Sequence, residues 1–297
     1  MISHLSFNTL KLLSPSVSLK ANNEGFEFLV IEHKQLNAVF SLHGGHLIHF
    51  QPTQQQPIIW LSKTAIFDDK KAIRGGVPIC WPWFGAASPE LGEGLPSHGF
   101  ARTSKWSIGQ ITESDLGIEL ELKLYSSKET LKLWPYPFEL TLKATLNKHL
   151  KLELITENKG DTPFTYRSAL HTYLNISTPD AITVSGLNEQ FYNSLNKGQL
   201  ETGGQTLLID QAIDSIYKKS NCDILLEDKQ LQRTLTITNK GNDSEVLWSP
   251  WIAGAKAFAD MPDDGYQTML CIESTITEKT GQAVQAGKKH TLSTLIK

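Results

Sequence analysis

The sequence predicts an all-β protein: one large antiparallel β-sandwich of about 15 strands or more, with few short helices. Three observations predict it. Apolar and polar residues alternate with period 2 along much of the chain, as in Ile118, Leu120, Leu122 and Leu124 against Glu119, Glu121 and Lys123, the pattern of a strand buried on one face. No long amphipathic helix interrupts these runs. No Pro/Ser-rich linker, repeat or low-complexity tract divides the 297 residues, so we expect a single domain over residues 1–297.

Taken in order, FEFLVIEH (26–33), NAVFSLH (37–43) and PIIWLS (57–62) are short runs rich in β-branched and aromatic residues. In VPICWPWFG, Pro78 and Pro82 remove backbone donors, so this stretch cannot be a central strand and must form a rigid loop or a sheet edge. GIELELKLY (117–125) is a half-solvated strand. Phe138, Leu140, Leu142, Ala144 and Leu146 repeat its pattern, and HLKLELITENKG follows after a turn at Asn147-Lys148, giving a hairpin or meander. FTYRSALHTYLNI (164–176), CDILLED (222–228), TLTITN (234–239), TMLCIES (268–274) and HTLSTLIK (290–297) complete the β-rich set. DSIYKKS is too short to assign.

Charge and cysteine content narrow the partners. With 28 Lys+Arg against 31 Asp+Glu and a net charge of -3, the chain has no general attraction for nucleic acid or an anionic membrane. A small molecule or another protein is the expected partner. Cys80, Cys222 and Cys271 are widely spaced and odd in number, which fits reduced thiols in the cytoplasm. The N-terminal MISHLSFNTLKLLSPS lacks the apolar core of a signal peptide, so we expect an unprocessed cytoplasmic protein.

Four stretches could carry chemistry. RGGVPICWPWFG sets Arg74 beside Gly75-Gly76, which let the backbone approach a ligand; a packed loop with a surface arginine is the plainer alternative. PSHGFAR places Ser97, His98 and Arg102 around a second glycine, and two nearby guanidinium groups could hold a phosphate. In residues 164–176 the alternation puts Thr165, Arg167, Ala169, His171 and Tyr173 on one face, lining a polar cavity or meeting solvent. Glu273 shares a face with Met269 and Cys271, at the end of an apolar strand face that would raise its pKa toward a useful general base. His43, His46 and His49 tempt a metal reading, but in an extended strand only His43 and His49 share a face, about 20 Å apart. No HExxH, Cys pair, G-x-G-x-x-G, P-loop or GxSxG is present.

Together, RGGVPICWPWFG, SHGFAR, SALHTYLNI, IDSIY and CIES, in this order and spacing, resemble the aldose 1-epimerase superfamily, and within it the hexose-6-phosphate mutarotases. The resemblance runs from about Ala38 to the C-terminus. It implies a galactose-mutarotase-like supersandwich that interconverts the α and β anomers of glucose 6-phosphate. It further implies His171 as general acid, Glu273 as general base, Arg74 and Arg102 as phosphate ligands, Asp214 as a sugar-hydroxyl ligand and His98 as a second active-site histidine. Ser97 stands where some relatives carry Gln. No cofactor or metal is implied, and we expect a monomer whose partner is a small hexose 6-phosphate. A mutarotase of free sugars would keep His171 and Glu273 without needing two arginines; a non-catalytic sugar-binding protein on the same sandwich is the other alternative.

Overall fold

A computed structural model describes residues 6–297; the sequence reading of the N-terminal segment falls partly on residues 1–5, outside the described residues. Three antiparallel sheets and a two-stranded ribbon account for the strands among the described residues. The first sheet is a five-stranded meander in sequence order, Asn8–Ser14, Val17–Ala21, Glu27–His33, Leu36–Ser41 and His46–Pro52. The second has nine strands and is centred on Lys289–Ile296, Leu150–Asn158, Phe138–Leu146 and Gly117–Tyr125. The third has eight and includes Ile213–Lys218, Ser244–Ser249, Met269–Ile276, Ser168–Leu170, Tyr173–Asn175 and, at its edge, Ile79–Cys80.

The alternation read from sequence becomes cross-strand packing. Leu122 pairs with Leu142, Leu142 with Leu154 and Leu154 with Leu292, a leucine row across four strands of the second sheet. All four are buried, each contributing about 1.5–3 kcal/mol by leaving water. Their opposite faces carry Glu119, Lys123 and Lys143, charges left half-buried or exposed. This core is continuous with Leu29 and Phe40 of the first sheet and with Leu170, Leu247 and Ile272 of the third. Polar contacts also join the layers: Ser274 Oγ donates to Ser293 O at 3.1 Å between the third and second sheets. Ser16 Oγ donates to Glu113 at 2.6 Å between the first and second.

Three local expectations change. Residues 57–62 form no ladder strand: Pro57 lacks an N–H, and the segment is stitched into place through Trp60 N to Tyr173 O and Ser62 N to Arg74 O. Residues 164–176 are three pieces, not one strand. Phe164–Tyr166 pairs with Gln282–Val284, while Ser168–Leu170 and Tyr173–Asn175 pair with Met269–Ile276. At the breaks, Arg167 N donates to Pro82 O and His171 N to Pro78 O, so the proline loop takes over the donors that leave the ladder. Glu273 sits within a strand that continues to Ile276 and is buried along its whole length, so it is not at a strand end. DSIYKKS contributes the strand Ile213–Lys218, and the only α-helices among the described residues are the short Lys128–Leu133 and Trp251–Ala257.

We propose that the shared core makes residues 1–297 one cooperative unit. Calorimetry is expected to show one transition whose van't Hoff and calorimetric enthalpies agree; two resolved transitions would contradict it.

Candidate active site

The loop that begins at Arg74 is fixed from behind by the histidine-rich segment. Gly75 and Gly76 have φ of +104° and +71°, and a Cβ on Gly76 would run into the His46 ring and the Leu47 carbonyl. His46 Nε2 donates to Gly75 O at 2.8 Å, and Val77 N donates to Leu47 O at 2.8 Å. Burial lowers the His46 pKa to about 3, so this staple is a neutral imidazole. His43 Nε2 is bonded to Lys71 O at 2.9 Å. His43 and His46 therefore serve the loop instead of converging on an ion.

In front of the loop lies a cavity of about 800 Å³ that brings together all seven residues singled out in sequence, Arg74, Ser97, His98, Arg102, His171, Asp214 and Glu273. At its floor, Glu273 Oε1 is 3.4 Å from His171 Nε2. The register that places Tyr173 opposite Cys271, continued two residues through Thr172, brings His171 beside Glu273. The His171 ring stacks on Tyr173 at 4.9 Å and meets Trp248 edge-on at 5.9 Å. Glu273 is 1% exposed, and its Oε2 has no hydrogen-bond partner. Burial, reinforced by Asp214, pushes its carboxyl well above the usual carboxylate range. Burial, then the positive field of His98, Arg102 and Arg74, holds His171 well below the usual imidazole value. Burial thus favours the protonated carboxyl and the neutral imidazole, one acid and one base 3.4 Å apart.

Arg74 is held by side chains far away in sequence, Arg102 by a neighbouring carbonyl. Arg74 Nε donates to Asp260 Oδ1 at 3.1 Å, its NH1 to Tyr173 Oη at 3.3 Å, and its guanidinium lies 4.1 Å over the Phe258 ring. Burial opposes its charge, but Tyr173 and Asp260 outweigh that opposition. Arg102 NH2 donates to Ser97 O at 2.8 Å, and Ser97 Oγ donates to Gly85 O at 3.2 Å. His98 is left-handed, with φ of +62°. It is pinned by its N to Gly85 O at 2.7 Å and by Gly85 N to its Nδ1 at 3.2 Å. Burial and then Arg102 lower its pKa to about 4. Asp214, on Ile213–Lys218, is raised by burial.

Sequence reasoning missed several lining residues. Asp260 and Phe258 follow the helix Trp251–Ala257, and nothing local marks a partner for an arginine 186 residues away. Lys70 and Lys71 do leave a signal in the sequence, the cationic run KKAIR. With Arg74, Arg102 and Arg167 they make five Lys/Arg lining the cavity against Asp214, Asp260 and Glu273, although the chain is net negative at -3.

A relative from Salmonella typhimurium, provisionally named glucose-6-phosphate 1-epimerase, is 36% identical over 279 residues, covering 93% of this chain and 92% of its own. One from Escherichia coli with the same provisional name is 34% identical over 283 residues, covering 95% and 93%. A crystal structure described as a provisional mutarotase from Salmonella typhimurium superposes with a TM-score of 0.91 at 32% identity, covering 98% of this chain and 96% of that one. A galactose mutarotase-like protein from Lactobacillus casei shares the fold alone, at a TM-score of 0.71 and 15% identity, covering 91% and 99%. Residues 27–297 match the family described as aldose 1-epimerase, and with relatives of this similarity along nearly its whole length the chain belongs to that family.

Proposed function

We propose that the chain is a hexose-6-phosphate mutarotase, a glucose-6-phosphate 1-epimerase, working as a monomer in the cytoplasm. The observation that carries the substrate assignment is the cationic wall formed by Arg74, Arg102 and their lysine neighbours, facing the His171–Glu273 pair across one cavity. The names of the full-length relatives support it. No helix among the described residues is long and apolar enough to cross a membrane.

The electrostatics suggest how substrate sets the protons. A phosphate dianion held by Arg74 and Arg102 offsets the part of the depression of His171 that these cations add to burial, which favours the imidazolium that must donate; the reacting form has the pair's proton on His171 and Glu273 as a carboxylate. Glu273 then takes the C1-hydroxyl proton while His171 gives one to the ring oxygen. The bond between C1 and the ring oxygen breaks, and an open-chain aldehyde forms with no net change in protons. Rotation about C1–C2 presents the other carbonyl face, and the reverse transfers close the ring as the other anomer. Asp214, opposite the pair, is placed to accept from a sugar hydroxyl. His98, edge-on to His171 at 6.4 Å, borders the reacting end, and Ser97 secures Arg102 through its carbonyl.

Glu273→Gln and His171→Ala are each expected to lower anomer exchange by about 10²- to 10⁴-fold, read by NMR exchange with the far-UV spectrum unchanged; a folded variant with near-normal exchange would remove that residue from the mechanism. Arg102→Ala is expected to raise KM for glucose 6-phosphate by roughly ten- to a hundredfold, far more than it changes exchange of free glucose. Equal losses on both sugars would mean that Arg102 supports the fold or the catalytic pair, and the phosphate assignment would fall even with the epimerase assignment intact. Asp260→Asn, which takes the countercharge from Arg74, is expected to raise KM for the phosphorylated sugar more than it lowers kcat.

The pH profile should depend on the sugar. Added negative charge near the pair favours bound protons, so both limbs of the kcat profile are expected at higher pH with glucose 6-phosphate than with glucose. Superimposed profiles would mean that the phosphate does not sense the pair.

A further inference from the structure

We propose that the floor of the cavity is also a binding site for a divalent transition-metal ion of the zinc class, held by His171, Cys271 and Glu273, and that the bound ion shuts off the sugar site. The site itself stands on geometry alone; its inhibitory effect rests on the mutarotase reading above.

The three donors come from adjoining strands. Cys271 and Glu273 are two residues apart on Met269–Ile276 and so share a face, while His171 enters from the break before Tyr173–Asn175. One donor atom from each lies within 4.8 Å of the other two. A tetrahedral zinc with bonds of about 2.0–2.2 Å to nitrogen and oxygen separates those ligands by about 3.3–3.5 Å. The His171 Nε2 to Glu273 Oε1 spacing is 3.4 Å, so two of the three ligands already stand a zinc edge apart. At about 2.3 Å to sulfur, the thiolate needs to come within about 3.6 Å of each, against a present spacing of at most 4.8 Å.

A second observation points to a ligand. Glu273 Oε2 is buried with no partner, in a residue 1% exposed, and an unpaired carboxyl oxygen inside a protein is costly. An ion bound through this carboxylate would meet that need. The set of one nitrogen, one sulfur and one oxygen suits zinc or cobalt and not magnesium or calcium. His171 and Glu273 line the cavity, so the ion has a way in, and its fourth coordination position faces the space the sugar would fill. Binding displaces the Cys271 thiol proton and the proton shared by the pair, since metal coordinates the thiolate, the carboxylate and the neutral imidazole. Affinity therefore rises with pH. The sequence expectation of no metal came from the family resemblance and from the absence of a metal motif; Cys-x-Glu on one strand and a histidine 100 positions earlier leave no such motif.

The test uses the purified full-length chain, stripped with a chelator. Titration with Co²⁺ is expected to give a one-to-one complex with a thiolate-to-cobalt charge-transfer band, displaced by Zn²⁺. Cys271→Ser is expected to abolish the band and Cys222→Ser, at the exposed thiol, to keep it. In the exchange assay, Zn²⁺ should inhibit competitively with glucose 6-phosphate and be reversed by chelator. Cys271→Ser should raise the inhibition constant at least about tenfold, the loss produced even by removing an outer-shell partner, with unchanged exchange in the absence of metal. The proposal falls if no cobalt–thiolate band forms, if the band survives Cys271→Ser, or if inhibition is equally strong in that variant. A one-to-one band that depends on Cys271, in a chain that exchanges no sugar anomers at all, would uphold the metal site and overturn the function reading instead.

Discussion

Glu273 is a carboxyl placed inside a protein interior with one oxygen unpaired, and much of the surrounding architecture answers that constraint. A carboxylate there would be strongly disfavoured without nearby positive charge, so the proton stays until something changes the local field. The strand that carries Glu273 is buried along its length and lies between Ser244–Ser249 on one side and Ser168–Leu170 and Tyr173–Asn175 on the other. Its neighbours hold the carboxyl still but do not neutralise it. His171 Nε2 lies 3.4 Å from its Oε1, with Tyr173 stacked on that ring and Trp248 meeting it edge-on.

The cations are then a matter of distance. Arg74 and Arg102 depress His171 without touching it, which makes the pair responsive to whatever occupies the wall between them. A neutral sugar and a phosphorylated sugar of the same shape would present the same hydroxyls and yet leave the pair in different protonation states. In this reading, recognition of the remote phosphate and activation of the reacting groups are one electrostatic event.

The strands were legible because each alternating run has its own apolar face: Ile118 to Leu124 and Phe138 to Leu146 needed only their neighbours to be read. Pro78 and Pro82 likewise announced an edge, and Ile79–Cys80 is one. What could not be read is whatever depends on a distant group. The breaks at Arg167 and His171 exist because the carbonyls of Pro82 and Pro78 accept their N–H groups, and a local pattern contains no trace of that. Asp260 became a partner of Arg74 only through folding. The cavity residues were gathered from sequence mainly by resemblance, since alternation placed Glu273 on an apolar face but could not say that His171 would meet it. Nor could it say where their proton rests, because burial decides that.

His98 sits in the left-handed region next to Gly99, itself at φ +72°. For a residue with a Cβ this conformation costs roughly 1–2 kcal/mol, and the two hydrogen bonds to Gly85 are what hold it there. Glycine would remove this backbone cost, yet it would strip the ring from the mouth of the cavity. Fold stability and the site's chemistry therefore pull this one position in opposite directions. A search for thermostable variants that screens only for melting temperature would drift toward sequences that fold better and lose that ring.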